Sequence, residues 1–311
     1  MNLTPIVLYN NTLSATPASF QQMLTIPANA SINSTYTNIR FRDGNYNLLK
    51  SWLESYTTSS ATIWVVLPDG IPSKSAITIY METGSLSDNF LDGVTVGEAP
   101  QLSATYGQYD NGAKVFSFYD NFAGTSLSSS WSVGSGVAVS VDNGLTYNAS
   151  NAGWNGLMNS KTLNAPVVEE IYSKMISGYA ITTVGLASAN TLTTTGSIGY
   201  EGRIVSNQGT TIENPISSST LMTGAALSLN TMYIVTGITV NSTEGTVQIN
   251  YGANGTATLS TASILLPDNI VIGGYNSTVF VQWLRVRAYP PGGVMPSSSS
   301  LSNFGPIYIG G

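Results

Sequence analysis

The stretch VFVQWLRVRAY, residues 279–289, decides the fold class of this chain. Within it, Arg285 and Arg287 alternate with Leu284 and Val286. A period of two places successive side chains on opposite faces of a β-strand. The stretch is therefore predicted to be a terminal strand with one polar face.

Similar short runs, rich in Val, Ile, Thr and Tyr, recur along the chain between clusters of Gly, Asn, Asp and Ser. Sustained 3.6-residue periodicity is absent, and this favours an all-β fold. Hairpins are predicted at 142–144 and 252–255, where Asn and Gly supply the positive φ values of a tight turn. The further strands are predicted at Ile6–Leu8, Ile39–Arg42, Ala61–Leu67, Ile77–Glu82, Val115–Tyr119, Val137–Val141, Val167–Ile176, Ala180–Leu186, Ile198–Val205, Tyr233–Val240, Thr246–Tyr251, Ala257–Thr261 and Ile270–Gly274.

Composition excludes several classes of function. Charged residues make up 8% of the chain, whereas they make up about 25% of ordinary soluble proteins. The formal net charge is -6. The ten Lys and Arg residues are scattered singly, so a nucleic-acid partner is not expected, because phosphate binding needs clustered cations. The absence of Cys and His excludes disulfides, cysteine nucleophiles and histidine-based catalysis, and it removes the commonest transition-metal ligands.

The chain is predicted to contain two domains and a tail. Residues 84–113 are rich in Gly, Ser, Asp and Pro and lack alternation, so the boundary is placed near Ala113. This gives domains at 1–112 and 113–290, and a tail rich in Pro, Gly and Ser at 291–311. The tail contains a short strand-like segment, Pro306–Ile309, which either returns onto its own sheet or adds to a neighbouring subunit.

The start of the chain carries no basic residue and no apolar run of signal-peptide length, and no segment approaches a membrane span; neither export by a leader nor membrane insertion is expected. Glycosylation motifs of the Asn-x-Ser/Thr type occur, and a modified asparagine is expected on an exposed loop. The candidates are Asn2, Asn10, Asn29, Asn33, Asn148, Asn241, Asn254 and Asn276.

Several segments of the first third resemble an uncharacterised β domain that is common in archaeal surface proteins and in some archaeal virus proteins. They are TPASFQQM at 16–23, NIRF at 38–41, SWLES at 51–55, ATIWV at 61–65 and TIYM at 78–81. Residues 97–107 and 116–125 resemble the junction of that domain with a concanavalin A-like, laminin G-type sandwich. WLRVRAYPP at 283–291 is similar to the closing strand of that second domain.

The resemblance implies two β-sandwich, jelly-roll-like domains, of which the second is concanavalin A-like, in an extracellular protein. It implies no reaction, because the family has no agreed activity. The chain departs from secreted members of the family, which carry a signal peptide or a membrane segment.

The carboxylates do not form a catalytic pattern. Glucanases of the concanavalin-like fold carry Glu-x-Asp-x-x-Glu on one strand, which brings two carboxylates to one face, and that pattern is absent here. Glu169 and Glu170 are adjacent, so a strand places them on opposite faces. One is expected to face solvent and the other to lie near an Arg or a backbone donor, and the protein is not expected to be an enzyme.

A shallow glycan-binding surface is a hypothesis for the second domain. Tyr200, Glu201 and Arg203, together with Trp154 and Tyr147, provide aromatic rings that stack on a sugar and charged groups that bind its hydroxyls. The alternative is a Glu-Arg pair within the sheet and aromatic residues in the core. Core packing is also the prediction for Trp52, Trp64, Trp131 and Trp283.

No metal site or cofactor is predicted. Calcium is the one ion that the sequence keeps open, through Asp-Gly and Asp-Asn turns at Asp43, Asp110, Asp142 and Asp268. Such pairs are ordinarily only turns.

Two functions of different class are compatible with these features. The first is a structural or attachment protein on an extracellular particle, most simply a turret, spike or fibre of an archaeal virion, which assembles with other subunits and contacts host glycans. The second is a secreted or cell-surface carbohydrate-binding module or filament subunit of an archaeon. Because a virion assembled inside a cell needs no export signal, the viral reading is preferred.

Overall fold

The computed structural model describes residues 2–149, 154–178, 183–187, 210–214, 219–224, 227–259, 266–299 and 307–308. Strands dominate these ranges, and the regular helical segments among them are one short α-helix, α1 (Gly112–Val115), and 3₁₀ turns at Asn250–Gly252 and Pro291–Gly293. The prediction of an all-β fold is confirmed.

The chain divides into two compact units. The first combines Met1–Ser117 with Pro290–Gly311, and the second is Phe118–Tyr289. The segment predicted to be a separate tail is thus grouped with the first unit.

The first unit contains two sheets. One has the strand order β23-β1-β7-β3-β4, with β24 also paired to β1, and the other has the order β2-β6-β5-β8. All pairings are antiparallel except the parallel pairing of β5 with β8. The strands are β1 (Asn2–Asn10), β2 (Phe20–Pro27), β3 (Ile39–Arg42), β4 (Leu48–Leu49), β5 (Ser51–Tyr56), β6 (Ser60–Leu67), β7 (Ser75–Thr83), β8 (Val96–Glu98), and, from the last part of the chain, β23 (Ser297–Ser298) and β24 (Ile307–Tyr308).

Two tryptophans anchor the interior of the first unit. Trp52 and Trp64 are wholly buried, and the ring of Phe116 meets both edge-on, at centroid distances of 5.2 and 6.0 Å. Each indole N–H donates to a carboxylate, Trp52 to Asp110 at 2.9 Å and Trp64 to Glu54 at 2.8 Å. The prediction that these tryptophans belong to the core is confirmed.

The tail pairs with the first strand of its own chain. Ser297 and Ser298 lie opposite Tyr9 and Leu8, and the backbone N–H of Ser299 donates to the Val7 carbonyl at 2.8 Å. Further along, β24 pairs with the start of β1. The tail therefore covers an edge of the first sheet, which corresponds to the first of the two alternatives considered for it.

The second unit is a sandwich of two sheets. The large sheet has the order β11-β12-β22-β14-β18-β19-β20, with β9 also paired to β22, and the small sheet has the order β10-β13-β21-β15; β16 and β17 pair antiparallel with each other. The strands are β9 (Phe118–Asp120), β10 (Trp131–Val133), β11 (Ala138–Val141), β12 (Leu145–Asn148), β13 (Trp154–Leu163), β14 (Val167–Gly178), β15 (Thr183–Ala187), β16 (Thr210–Asn214), β17 (Ser219–Gly224), β18 (Tyr233–Thr239), β19 (Gly245–Ile249), β20 (Gly255–Leu259), β21 (Asp268–Tyr275) and β22 (Ser277–Ala288).

One apolar cluster fills the space between these sheets. The large sheet contributes alternating residues, among them Val167 and Ile171 of β14, and the small sheet contributes others, among them Ile270 and Ile272 of β21. Trp131 is buried in the same cluster. Because each strand gives every second side chain to this core, the opposite face of the large sheet is free to carry polar groups.

A glycine sets the spacing of the two sheets at one point. A Cβ at Gly237 of β18 would lie 2.6 Å from the carbonyl oxygen of Val184 in β15. Contact this close leaves no room for a side chain, so the backbones approach there because residue 237 is glycine.

Both predicted hairpins are present, as β11-β12 and β19-β20. Their turns use positive φ, at Asn143 and Gly144 in the first and at Asn250, Tyr251 and Gly252 in the second. The predicted strand Val115–Tyr119 is wrong over its first part, because residue 115 ends α1 and β9 begins only at Phe118. The predicted strand Ile198–Val205 lies outside the described residues.

Candidate functional site

Among the described residues of the second unit, a group of charged and aromatic side chains lies on the face of the large sheet that points away from the core. In the antiparallel pairing of β14 with β22, Glu170 is opposite Arg285 and Tyr172 is opposite Trp283. We call this group the Glu170 cluster; its members are Glu170, Tyr172, Tyr251, Trp283, Arg285 and Arg287.

A β-bulge brings the cluster to this face. Tyr172 pairs with Trp283, but the next residue of β14, Ser173, pairs with Val281, so Gln282 is an extra residue in β22. An extra residue reverses which side chains point inward. Val279 and Val281 before the bulge face the core, and Leu284 and Val286 after it do so, which leaves the members of the cluster from β22 on the outer face.

Two guanidinium groups hold the carboxylate of Glu170. Its Oε2 accepts from Arg285 Nε at 2.6 Å, and its Oε1 accepts from Arg287 Nη2 at 2.9 Å and Arg287 Nε at 3.1 Å. The side chains of Glu170 and Arg285 are completely buried, and that of Arg287 is 7% exposed. Burial by itself raises the pKa of Glu170, but the two positive charges outweigh it and keep this pKa below its ordinary value.

Aromatic rings extend the cluster. Arg285 Nη2 donates to the hydroxyl of Tyr251 at 2.6 Å, and the guanidinium carbon of Arg285 lies 4.7 Å from the ring centroid of Trp283. That ring stacks on Tyr172, with centroids 5.4 Å apart and an interplanar angle of 26°. Ion pairing, cation-π contact and stacking thus join the cluster into one network.

The first unit repeats the same arrangement of charges. Arg40 and Arg42 of β3 hold Glu82 of β7, with Arg40 Nη2 donating to Oε1 at 2.7 Å and Arg42 Nε to Oε2 at 2.6 Å. The guanidinium groups again lower the pKa of the carboxyl against the effect of burial. In both units an Arg-x-Arg segment on one strand holds a Glu on the antiparallel neighbour.

Glu169 occupies the opposite environment. It lies on β14 between Val167 and Ile171, which both belong to the core, and its side chain is wholly buried. Neither carboxyl oxygen has a hydrogen-bond partner within the described ranges. Burial raises the pKa of Glu169 well above its ordinary value, and the neighbouring Glu170 charge raises it further.

This arrangement does not provide an acid-base pair. Glu169 and Glu170 lie on opposite faces, as predicted, but the expectation that one of them faces solvent is wrong, because the core buries Glu169 and the ion cluster buries Glu170. Both oxygens of Glu170 are occupied by guanidinium groups. General acid or base catalysis requires a carboxyl within reach of a substrate proton, and these two carboxyl groups are not.

The structure changes the predicted glycan-binding set. Tyr147 is completely buried in the core of the second unit, and its hydroxyl donates to the Gly273 carbonyl at 2.7 Å; a sugar cannot stack on it. Trp154 is the first residue of β13 and lies opposite Tyr275. Tyr200, Glu201 and Arg203 lie outside the described residues, so their part in the surface stays a prediction.

The predicted glycosylation sites differ in accessibility. Asn10 is 1% exposed, and its amide nitrogen donates to the carbonyls of Ser14, Ile71 and Pro72, so the expectation of an exposed loop is wrong there. Asn29 and Asn241 are exposed and lie outside strands. Half-buried positions are Asn2 in β1, Asn148 in β12, and Asn33, Asn254 and Asn276 in the connections.

Three of the four aspartates considered for calcium, Asp43, Asp110 and Asp268, accept nearby N–H groups. Asp43 Oδ1 accepts the backbone N–H groups of Asn45 and Asn47, both at 2.8 Å. Asp110 Oδ1 accepts the Trp52 indole and the Gly112 N–H. Over the described ranges, no three residues among His, Cys, Asp and Glu come together as they do in a metal site.

Comparison with known families and proteins gives a partial match. Residues 35–99 match the family described as "Domain of unknown function (DUF2341)". A 131-residue stretch, 39% of the chain, is 38% identical to "Uncharacterized protein 562" of Sulfolobus islandicus rod-shaped virus 1. The chain spans 23% of the length of that relative. The family match lies within the predicted first domain and agrees with its resemblance to an uncharacterised domain. The viral relative agrees with the archaeal virus proteins named in that resemblance.

Remote likenesses to solved structures cover about half of the chain. The carbohydrate-binding module CBM66 from Bacillus subtilis is 10% identical with a TM-score of 0.40, covering 51% of this chain and 96% of that one. A protein of unknown function with a galectin-like fold from Bacillus subtilis is 11% identical with a TM-score of 0.43, covering 56% and 96%.

No helix within the described ranges has both the length and the apolar character needed to cross a membrane.

Proposed function

We propose that this protein is a structural or attachment component on the surface of an archaeal virus particle, as part of a turret, spike or fibre, and that it is not an enzyme. The observation that carries the proposal is the 38% identity over 131 residues with a protein of a rod-shaped virus. Partners of the chain are then other subunits of the particle and the glycans of the host surface.

The placement of charge supports a durable structural role. The carboxylates of Glu82 and Glu170 are each held by two arginines, and Glu169 is enclosed in the core. These groups stabilise or fill the sheets and do not face a substrate. With 8% charged residues, such a protein presents few titrating groups to its surroundings.

Immunogold electron microscopy tests the location. Antibodies raised against the recombinant chain are applied to purified particles and, separately, to isolated host envelopes. We expect label on the particles, and antibody absorbed with the recombinant protein serves as the control. Label confined to uninfected host envelopes overturns the viral assignment in favour of a cellular surface module, and label on neither surface overturns both.

Glycan contact by the second unit is tested on a glycan array with the wild-type chain, Trp154→Ala and Glu201→Ala. Loss of a wild-type signal in either variant supports the surface predicted from the sequence. Equal binding by all three proteins, or none by the wild type, rules that surface out.

A further inference from the structure

A cavity of about 530 Å³ opens in the first unit between the loop before β3 and the turn that joins β5 to β6. Its volume lies within the roughly 300–1,000 Å³ of small-molecule sites. The residues that line it are Ala28, Ile32, Asn33, Ser34, Tyr36, Tyr56, Thr57 and Thr58.

The lining is neutral and aromatic. None of these residues is an acid or a base of the Asp, Glu, Lys or Arg type. The rings of Tyr36 and Tyr56 have centroids 6.1 Å apart and are inclined at 40°. Ser34 and Thr58 are exposed, so hydroxyl groups stand where the cavity meets solvent. A charged ligand such as a phosphate or a sulfated sugar finds no counter-charge here.

Tyr36 carries two unfavourable features. Its φ is +58°, in the left-handed region that is uncommon for a residue with a side chain. It is 4% exposed, and its hydroxyl has no hydrogen-bond partner among the residues that the structure describes. An unpaired buried hydroxyl costs about 1–3 kcal/mol. Strained backbone of this kind concentrates at binding sites, whereas the hydroxyl itself is sealed from the cavity.

The walls of the cavity are held in place without a ligand. Asn33 Oδ1 accepts the Thr37 N–H at 3.0 Å, and Asn38 Oδ1 accepts the Asn33 N–H at 2.9 Å. On the other side, Thr57 Oγ1 accepts the N–H groups of Ser59 and Ser60, both at 3.2 Å. Because both loops are already ordered, binding pays little conformational entropy.

We propose that this cavity binds the pyranose ring of a neutral glycan. The apolar face of the ring lies against Tyr56, while the rim hydroxyls of Ser34 and Thr58 contact the sugar oxygens. A pyranose combines an apolar face with neutral hydroxyls, as this lining does. The proposal stands on the geometry of the first unit and holds whether or not the protein is part of a virion.

The ring could belong to a separate glycan or to one attached at Asn33, which lines the same cavity. The Asn33 amide is engaged, since its Nδ2 donates to the Thr37 hydroxyl at 3.0 Å. A separate glycan therefore fits the observed contacts better, and the experiment distinguishes the two sources.

The test uses the full chain made in a bacterial cytoplasm, where Asn33 carries no glycan. The methyl glycosides of glucose, mannose, galactose and N-acetylglucosamine are titrated at millimolar concentration and followed by saturation-transfer NMR. We expect at least one to bind and Tyr56→Ala to weaken that binding at least tenfold. Tyr9→Ala, at an exposed tyrosine of β1, is the matched control and is expected to leave binding unchanged.

Ser34→Tyr provides a second variant in case Tyr56→Ala does not fold, because it narrows the cavity from an exposed position. It is expected to weaken binding while the fold is retained. Absence of binding by all four glycosides, or unchanged binding in Tyr56→Ala or Ser34→Tyr, overturns the proposal.

Protein made in an archaeal host completes the test. If it carries a glycan at Asn33 and fails to bind the glycoside, while its Asn33→Gln variant binds, the cavity holds the chain's own sugar. If both bind equally, the glycan is a separate molecule. These outcomes concern binding by the purified chain, so they are independent of the labelling of particles.

Discussion

Glu169 makes the second unit pH-dependent in an unusual direction. Because burial raises its folded-state pKa above the unfolded value, the folded state binds the extra proton. The free energy of unfolding therefore falls as pH rises from the ordinary Glu range, about 4.3, towards the folded pKa. Below the ordinary range both states are protonated, and this contribution no longer changes.

We predict that Glu169→Leu stabilises the protein. An apolar side chain of similar size removes a buried polar group without a partner, which is worth on the order of 1–3 kcal/mol. The gain is expected to be larger at pH 7 than at pH 4, because at the higher pH the carboxyl is ionised in the unfolded chain, so folding must either bind a proton to Glu169 or bury its charge. Urea unfolding at the two pH values measures the difference.

Glu244→Leu, at an exposed position, is the control and is expected to change stability by less than about 0.5 kcal/mol. A Glu169→Leu protein that is less stable than the wild type at pH 7 would show that the carboxyl has a stabilising partner.

The two Arg-Glu-Arg groups are predicted to differ in energy because they differ in burial. Glu170→Gln leaves two buried guanidinium groups without a carboxylate, and we expect a loss of about 3–5 kcal/mol. Glu82→Gln is expected to cost less, since Arg40 and Arg42 are 26% and 15% exposed and remain partly hydrated. Denaturant melts of both variants make the comparison, and equal losses would contradict it.

At the scale of elements, the contact between β18 and β15 depends on one missing side chain. Gly237→Ala places a methyl group 2.6 Å from the Val184 carbonyl oxygen, so the two sheets must separate locally. We expect a loss of about 1–3 kcal/mol from overpacking, measured by thermal or urea unfolding. Gly44→Ala is the control, because the nearest atom there is 3.7 Å away; a neutral Gly237→Ala would mean that the sheets can slide apart freely.

The tail is predicted to protect an edge of the first sheet. Deletion of residues 297–311 removes β23, β24 and the Ser299 bonds to Val7, leaving the backbone groups on the edge of β1 that faces away from β7 unpaired. An open edge pairs with other chains, so we expect the truncated protein to self-associate more than the full chain. Light scattering after size exclusion measures this, and an unchanged, equally stable species would show that the edge needs no cover.

The sequence predicts the positions of strands and hairpins better than it predicts which side chains the fold buries. Alternation located β3 and the core of β22, and Asn-Gly located the hairpin at 142–144, because these signals are local. The bulge at Gln282 left no local signal, and it decides which residues of β22 face outward. For the same reason the burial of Glu169 and Tyr147 could not be predicted, since it depends on strands that are distant in the chain.

For the site, the sequence predicts a polar face at Arg285 and Arg287, and it predicts an arginine or a backbone donor near one of the two glutamates. That Glu170 is the partner depends on the register of β14 against β22. The cavity between Tyr36 and Tyr56 is lined by two loops that are separate in the sequence. Sequence patterns do not show that these loops lie close together in the fold.

At the scale of the whole molecule, shifts of opposite sign partly cancel. The lowered pKa values of Asp43, Glu82, Asp88, Asp92 and Glu170 contribute stability above the ordinary carboxyl range that is lost as pH falls through their folded values. Burial raises the pKa values of Glu98, Glu169 and Asp268. These groups contribute stability at acidic pH that is lost as pH rises towards their folded values. We therefore predict a stability that varies little between neutral and strongly acidic pH.

Circular dichroism melts from pH 7 to pH 2 test this prediction, with solubility measured in parallel. The melting temperature is expected to change by only a few degrees until the paired carboxylates are protonated. Cooperative acid unfolding with a midpoint in the ordinary carboxyl range, about pH 4, would contradict it.

The pairing of the tail with β1 also has a consequence for synthesis. Val7 and Ser299 bond to each other across 292 positions of the chain, and the whole second unit is translated between them. During translation, the edge of β1 that the tail later covers stays unpaired until the second unit and the tail have been synthesised. A nascent chain in that condition is exposed to pairing with its neighbours on a polysome, so slow translation of the second unit should lower the yield of correctly closed first units.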